Sequence, residues 1–323
     1  MSSGDPRVSV LIPTYRRATH LALAIDSALA QTCQDLEIIV VEDGSHIAAE
    51  VVGKYGSRVR YEWQPNGGVA AARNTAARVS RGEWLAFLDD DDVWFPEKLE
   101  RQLALAECFP SLGLVYTHYL DVEEAARPKR RSVPTSEERS GWVTAALFLR
   151  FFGLPSTVMV RRADFERVGG FDASLRFCED YDLWLRLSRM CPFGYLAEPL
   201  VGYRRQSGSL SDNDLAVDSG SLTVLERFLS YTPALWDECG PRQVRRRLAA
   251  IHFRCGQMLF WNDNLLSARR HFLEAWRLEP RELRRLALAL GTTLPVGMVA
   301  RLRALKHRLR PGGLVAAHTL DAS

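Results

Sequence analysis

The sequence predicts an α/β domain, built on a mostly parallel mixed sheet flanked by helices and followed by a small all-helical C-terminal region. Two observations carry this. Through the first half, short runs rich in apolar and β-branched residues alternate with segments of helical periodicity, the order that covers both faces of a sheet with helices. After Leu215 the pattern is entirely helical.

Taken in order, Val8 to Ile12 reads as a short buried strand. Ala18 to Gln31 is a helix with Leu21, Ile25, Ala28 and Leu29 on one face. Leu36 to Val41, rich in β-branched residues, is a second strand. Val51 to Tyr55 is helical, Val59 to Trp63 a strand, Val69 to Val79 an alanine-rich helix and Trp84 to Leu88 a strand. A further helix starts near Pro96-Glu97-Lys98-Leu99. Asp121 to Ser140 is polar, charged and without periodicity, and reads as a loop. Trp142 to Phe152 is an apolar helix and Ser156 to Val160 a strand. Glu179 to Met190 is a helix with Leu183, Trp184 and Leu187 at core spacing, and Tyr195 to Tyr203 forms one or two strands. The domain boundary is expected at residues 207–215, where Ser, Gly, Asp and Asn cluster.

The 323 residues are 47% apolar and 25% charged, ordinary globular composition. The N-terminus is polar and enters a strand directly, without the basic start and apolar core of a secretion signal. The longest uncharged apolar stretch, Leu286 to Ala300, is 15 residues and is broken by Gly291, Pro295 and Gly297, too short to span a membrane. Six scattered cysteines with no Cys-x-x-Cys pair read as reduced thiols, which points to a cytoplasmic protein. The net charge of +3 is uneven: residues 242–310 hold 16 Lys/Arg against 4 Asp/Glu, so the rest carries −9. Such a basic segment suits an anionic partner, though a solvated arginine-rich helix face would look the same. Nucleic acid is not expected, because the basic segment has no interleaved aromatics and no recognisable module.

The stretch Asp89-Asp90-Asp91-Asp92, at the end of a core strand, is the strongest chemical signal. Like charges at this spacing repel by roughly 1 kcal/mol per pair even in water, so a cation is expected on them. An all-oxygen set suits Mg²⁺ or Mn²⁺. An acidic turn capping the next helix would use the same residues. Two other strand ends are also polar, Pro13-Thr14-Tyr15 and Glu42-Asp43-Gly44-Ser45. In open α/β sheets ligands bind outside the carboxyl ends of the strands, so the three ends define one candidate rim.

Val8-Ser9-Val10-Leu11-Ile12-Pro13-Thr14-Tyr15, Val40-Val41-Glu42-Asp43-Gly44-Ser45, Asn66-Gly67-Gly68 through Arg73-Asn74, Phe87-Leu88-Asp89 through Asp92, Val168-Gly169-Gly170-Phe171-Asp172 and Cys178-Glu179-Asp180-Tyr181-Asp182-Leu183-Trp184 resemble, in order, the motifs of family 2 glycosyltransferases. These are inverting enzymes of the GT-A fold, a Rossmann-like architecture. The resemblance covers residues 7–213. It implies a catalytic domain over 1–213, with a nucleotide-binding part at about 7–118 and an acceptor-side part at about 141–213, and leaves 214–323 as a separate helical region.

What the resemblance implies residue by residue is specific. Pro13, Thr14 and Tyr15 border the base and ribose of a nucleotide-sugar donor. Asp43 accepts from the pyrimidine N3–H, which favours a UDP- or dTDP-sugar; guanine also offers an N–H. Glu42 stands where the family commonly has Asp. Gly68, Arg73 and Asn74 face the donor, with Arg73 on phosphate. Asp91 is the principal metal ligand with Asp89 supporting it, Asp90 lies on the donor side, and Asp92 is free to cap the next helix. Gly170 lies in a tight loop against the diphosphate and sugar. Asp180 is the general base for the acceptor hydroxyl, with Glu179 as the alternate; such a base contributes about 10²–10⁴-fold. Tyr203-Arg204-Arg205-Gln206 departs from the pattern, which often has His where Gln206 stands, so either the metal is held more weakly or Arg204 and Arg205 hold the phosphates instead.

In the C-terminal region, His252 to Pro280 reads as two helices joined at Trp261-Asn262-Asp263, with small residues at Gly256, Ala268 and Ala275, and resembles one tetratricopeptide-type pair. Residues 299–310 are basic and amphipathic, which suits peripheral contact with an anionic membrane carrying a lipid-linked acceptor. The expected activity is sugar transfer to a glycan or lipid-linked acceptor at the inner face of the membrane. The alternative is a catalytically weak scaffold that binds nucleotide and recruits partners through its helical tail.

Overall fold

The computed structural model describes residues 4–122, 128–129, 140–204 and 213–294. Strand β1 (Val8–Thr14) is buried along its whole length and lies between β2 (Leu36–Asp43) and β4 (Trp84–Phe87), parallel to both. Strand β3 (Arg60–Gln64) continues the parallel half beyond β2. A strand with neighbours on both edges and helices on both faces must be apolar throughout, which is why β1 carries Val8, Val10, Leu11 and Ile12 with no solvent exposure. Helix α1 (Ala18–Leu29) buries Leu21, Ile25 and Ala28 on one face of the sheet. Between β2 and β3 comes the short helix α2 (Ala48–Gly53). On α3 (Val69–Val79), Ala70, Ala72, Ala76 and Ala77 are buried, and their small side chains let the helix backbone lie close to β1 and β2.

The register sets the rim. Thr14 of β1 pairs with Glu42 of β2, and Leu11 pairs with Phe87 of β4, so the polar ends of these strands emerge together. After the acidic run come β5 (Val93–Trp94), helix α4 (Lys98–Cys108) and β6 (Leu114–Val122). Strand β7 (Pro128–Lys129) pairs antiparallel with β6. Helix α5 (Thr144–Leu149), strand β8 (Val158–Arg161) and helices α6 (Arg162–Arg167) and α7 (Glu179–Ser188) precede β9 (Phe193–Arg204). The order across the sheet is β3-β2-β1-β4-β8-β6-β9-β5, with antiparallel pairs entering at β8. Strand β5 pairs with the end of β9 and stitches the acidic run to Arg204.

Several boundaries differ from the sequence expectation. The expected loop from Asp121 begins inside β6, which is paired on both edges by β8 and β9 despite its polar Thr117, His118 and Asp121. The helix expected over Trp142 to Phe152 is confined to Thr144–Leu149. Gly153, at φ +84°, and the restriction that Pro155 places on the residue before it turn the chain away. Residues 155–157 form a 3₁₀ turn before β8 rather than part of the strand.

The chain divides into two compact units, Met1–Pro241 and Arg242–Ser323. The sequence boundary at 213/214 therefore falls inside the first unit. Helix α8 (Asp214–Tyr231) stays there because Arg227 pairs with Asp172 and Asp182, and because the Cys178 thiol donates to the Val217 carbonyl at 3.3 Å. A short helix, α9 (Leu235–Cys239), closes the unit. In the second unit, α10 (Pro241–Trp261) and α11 (Leu265–Leu278) form the expected pair, joined by a turn with Asp263 at φ +62°. Gly256 admits Phe272, to which a Cβ would come within 2.7 Å. Helix α12 (Leu283–Gly291) adds Ala289 to the small core of Ala268 and Phe272. No helix among the described residues is long and apolar enough to cross a membrane. The basic segment 299–310 lies outside the described residues.

Candidate active site

Each of the four aspartates after β4 has a partner outside the run, which offsets their mutual repulsion. Asp89 accepts from Arg73 Nη2 at 2.6 Å. Asp90 accepts from the Thr14 hydroxyl at 2.6 Å and lies 3.6 Å from Arg17 Nη1. Asp91 pairs with Arg17 directly. Asp92 accepts from the Ser156 hydroxyl at 2.6 Å and from the Arg204 amide at 3.0 Å. Burial disfavours charge on Asp90, Asp91 and Asp92. Burial pushes Asp90 up to about 7 against the Thr14 hydrogen bond, and it raises Asp91 and Asp92, with the neighbouring aspartates adding to both. Asp92 does not cap the next helix: α4 begins at Lys98, and both Asp92 oxygens are occupied within the core.

Thr14 is buried beneath Asp90, and Pro13 is buried with it, while Tyr15 stands 43% exposed at the rim. Arg16 follows at φ +56°, with its amide donating to the Ser45 hydroxyl at 3.2 Å.

Glu42 is completely buried, and its oxygens accept from Ser45, Tyr61 and the amides of Ile47 and Ala48, so it orders the turn into α2. Burial raises its pKa, but these hydrogen bonds outweigh it and hold the group below the usual carboxylate range. Asp43 is also nearly enclosed. It accepts from Gln64 Nε2 at 2.7 Å and from the Gly67 and Gly68 amides at 2.8 Å each, which fastens the turn that opens α3. Gly68 sits at φ +86° in that turn, a conformation glycine adopts without a steric cost.

Arg73 differs from its expected role. It is 3% exposed, with Nη1 on Glu179 at 2.8 Å and Nη2 on Asp89 at 2.6 Å, and its Cζ stands 5.3 Å from the Phe171 ring centroid. The side chain is thus an internal bridge between the acidic run and α7, not a surface group free to turn to phosphate. Asn74 likewise points inward. Its Nδ2 donates to the Phe171 carbonyl at 2.8 Å, and its Oδ1 accepts from the Phe171 amide at 3.0 Å. This clamp fixes the Gly169-Gly170 loop. Gly170 has φ +70°, and a Cβ there would lie 2.8 Å from Asn74 Oδ1.

Glu179 and Asp180 open α7 after Cys178, which is held in the left-handed region at φ +63°. Glu179 is committed to Arg73. Asp180, half-buried, takes a single hydrogen bond among the described residues, from the Tyr181 amide at 2.7 Å. Burial and the adjacent Glu179 push its pKa up to about 7, with Arg73 opposing them. Trp184 packs in the core and donates to the Gly153 carbonyl at 2.7 Å.

Arg204 is buried, and its Nε donates to the Asp91 carbonyl at 2.9 Å. Arg205 and Gln206 lie outside the described residues. Arg17 and Ser156 are the two residues of this site that the sequence reading missed. Arg17 follows the first strand end by three positions; Ser156 has no local signal.

Among the described residues no group of three or more His, Cys, Asp or Glu side chains converges as a ready metal cage. The donors present, Asp89 and Asp91, are hard oxygens on the rim. They fit a Mg²⁺-type ion, which takes one or two carboxylates and completes its shell with substrate phosphates and water.

The sequence model of Glycosyl transferase family 2 matches residues 9–169. An uncharacterized glycosyltransferase of Rickettsia typhi (strain ATCC VR-144 / Wilmington) is 32% identical over 259 residues, 79% of this chain and 78% of its own length. Relatives in Rickettsia felis and Rickettsia conorii are longer, and the chain spans 35% and 34% of them. The chain belongs to glycosyl transferase family 2. Among solved structures, S. aureus TarS 1-349 in complex with UDP-GlcNAc superposes with a TM-score of 0.57 at 18% identity, over 86% of this chain and 92% of that one. The mannosyltransferase PcManGT from Pyrobaculum calidifontis, in complex with GDP-Man and Mn²⁺, gives 0.55 at 18% identity, over 95% and 88%. The architecture is therefore the GT-A fold.

Proposed function

We propose that this glycosyltransferase moves a sugar, with inversion, from a UDP- or dTDP-sugar to a hydroxyl of a glycan or lipid-linked acceptor, with Asp180 as general base. One observation carries the reading. Of the two carboxylates opening α7, Glu179 is tied to Arg73 while Asp180 keeps acceptor capacity and a pKa near 7. A base poised near the working pH combines a usable charged fraction with a proton affinity matched to its task. Asp180 would take the proton of the acceptor hydroxyl as its oxygen attacks the anomeric carbon opposite the diphosphate. Arg73 holds Glu179 and Asp89, and through them keeps the base and the acidic run in register.

Asp89 and Asp91 would hold Mg²⁺ or Mn²⁺, which offsets charge on the departing nucleoside diphosphate. The Mn²⁺ in the PcManGT complex supports this, and nucleotide sugars in both structural neighbours support the donor class. Asp43, whose Oδ2 accepts only from the Gly68 amide among the described residues, would accept from the N–H of a base bordered by Tyr15. The basic C-terminal segment would hold the enzyme at the cytoplasmic face of an anionic membrane; failure of the protein to pellet with anionic liposomes at low salt would remove that part.

The test of the donor site is calorimetric titration with UDP, dTDP and GDP, with and without Mn²⁺, on wild type and Asp91→Ala. Metal-dependent binding of UDP or dTDP that disappears in the variant is the expected result. Absence of binding to all three by folded protein would sink the reading.

A further inference from the structure

We propose that Arg17 is a built-in counter-ion that competes with the divalent ion for the Asp91 carboxylate, so that metal binds tightly only when a nucleoside diphosphate draws Arg17 away. The inference rests on the metal reading of the acidic run given above and adds an exchange to it.

Asp91, the expected principal ligand, already has one oxygen on Arg17 Nη1, and the same nitrogen stands 3.6 Å from Asp90 Oδ1. A dication arriving at Asp91 with Arg17 in place would bring like charges within a few ångströms, in a site that burial makes poor at screening them. One of the two must leave. The two arginines on the acidic run differ in their freedom to do so. Arg73 is 3% exposed and also binds Glu179, so its departure would strand two carboxylates. The Arg17 side chain is 33% exposed against 13% for Asp91, and it makes no ion pair outside this run among the described residues. It approaches from the solvent side and can swing out without unpacking the core.

Its backbone stays fixed during such a swing. Arg16 is in the left-handed region with its amide on Ser45, and α1 begins at Ala18. A diphosphate offers Arg17 replacement oxygens suited to paired guanidinium donors. Metal and nucleotide then help each other bind, and by linkage the help is reciprocal.

The experiment measures Mn²⁺ affinity by electron paramagnetic resonance, with and without UDP, in wild type, Arg17→Met and Arg16→Met. Arg16 carries the same charge one residue away but lies over the Tyr15 ring at 5.0 Å, so it reports generic loss of positive charge. Mn²⁺ alone is expected to bind Arg17→Met about tenfold more tightly than wild type, and the gain in Mn²⁺ affinity from UDP should shrink by a similar factor, inside the usual range of coupling energies. Arg16→Met should change neither by more than about twofold. An unchanged Mn²⁺ affinity in Arg17→Met, or an equal gain in Arg16→Met, overturns the exchange and leaves the metal reading standing. No Mn²⁺ binding by any of the three proteins, even with UDP, overturns both. In unmutated protein, the Arg17 Nε–H resonance should shift on adding Mg²⁺ with UDP; a resonance that stays in place also overturns the exchange.

Discussion

Replacing Arg73 with Met keeps an unbranched apolar stem and removes the guanidinium with its charge, and the structure predicts two separate consequences. The first is stability. Arg73 is buried and pairs at 2.8 Å with Glu179 and at 2.6 Å with Asp89. Removing one partner from a buried pair leaves an uncompensated carboxylate, which typically costs about 3–5 kcal/mol. Asp89 is partly exposed and can recover water, so the loss should come from Glu179 and lie near the lower figure, ~3 kcal/mol. Urea unfolding of wild type and variant measures it. The second consequence is catalytic. Arg73 opposes the burial and the Glu179 charge that raise Asp180 to about 7. A unit charge removed from a distance of ~10 Å, at an effective dielectric near 20, moves a pKa by about one unit. The proposed base acts in its charged form, so activity rises with pH through its pKa. The acidic limb of kcat/KM, expected near pH 7 in wild type, should therefore move up by about one unit in Arg73→Met. Arg73→Lys, which keeps the charge, should restore the limb more fully than the stability. A variant with an unmoved acidic limb and less than ~1 kcal/mol of lost stability would refute both the bridge and the base assignment.

Three further outcomes follow from the same geometry. Asp180→Asn should lower kcat about 10²–10⁴-fold while UDP affinity in calorimetry stays within a few-fold; equal losses in both would move Asp180 from chemistry to binding. Gly170→Ala puts a methyl 2.8 Å from Asn74 Oδ1 at φ +70°, and should destabilise the protein by ~1–3 kcal/mol in thermal unfolding, with wild-type stability as the refuting result. The Ser174 hydrogen bonds, then burial opposing them, then Arg227 set the carboxyl of Asp172, which ends lowered to about 2. A carboxylate with a depressed folded pKa stabilises above its unfolded value and loses that contribution as pH falls through the folded one, so Asp172→Asn should flatten the pH dependence of stability between about pH 4 and 2. An acid limb identical to wild type would contradict the role of this pair.

Much of the fold was legible in the chain because the parallel core strands have to be apolar. Strands β1, β2 and β4 are buried on both faces, and such burial demands the apolar and β-branched runs by which they are recognised. The alanines of α3 and the pair α10–α11 follow from helical spacing in the same way. Strand β6 escaped because the adjacent Thr117 and His118 interrupt its apolar run and Asp121 breaks it again, and its status comes from the two neighbours that pair with it. The 3₁₀ turn at residues 155–157 has no periodicity to read.

The candidate site divides along the same line. The sequence by itself determined which strand ends carry carboxylates, the order of the motifs and hence the family. It could not decide which carboxylate is free. Glu42 and Asp43 are adjacent, yet both are occupied in holding turns. Glu179 and Asp180 are also adjacent, and the guanidinium of Arg73, 106 positions from Glu179, takes Glu179 and leaves Asp180. Arg17 reaches Asp91 across 74 positions. Local patterns record which faces are buried, because burial imposes a period on the chain. The choice of partner for each charge depends on distances that exist only after the sheet has brought its strand ends together, and that choice belongs to the tertiary structure.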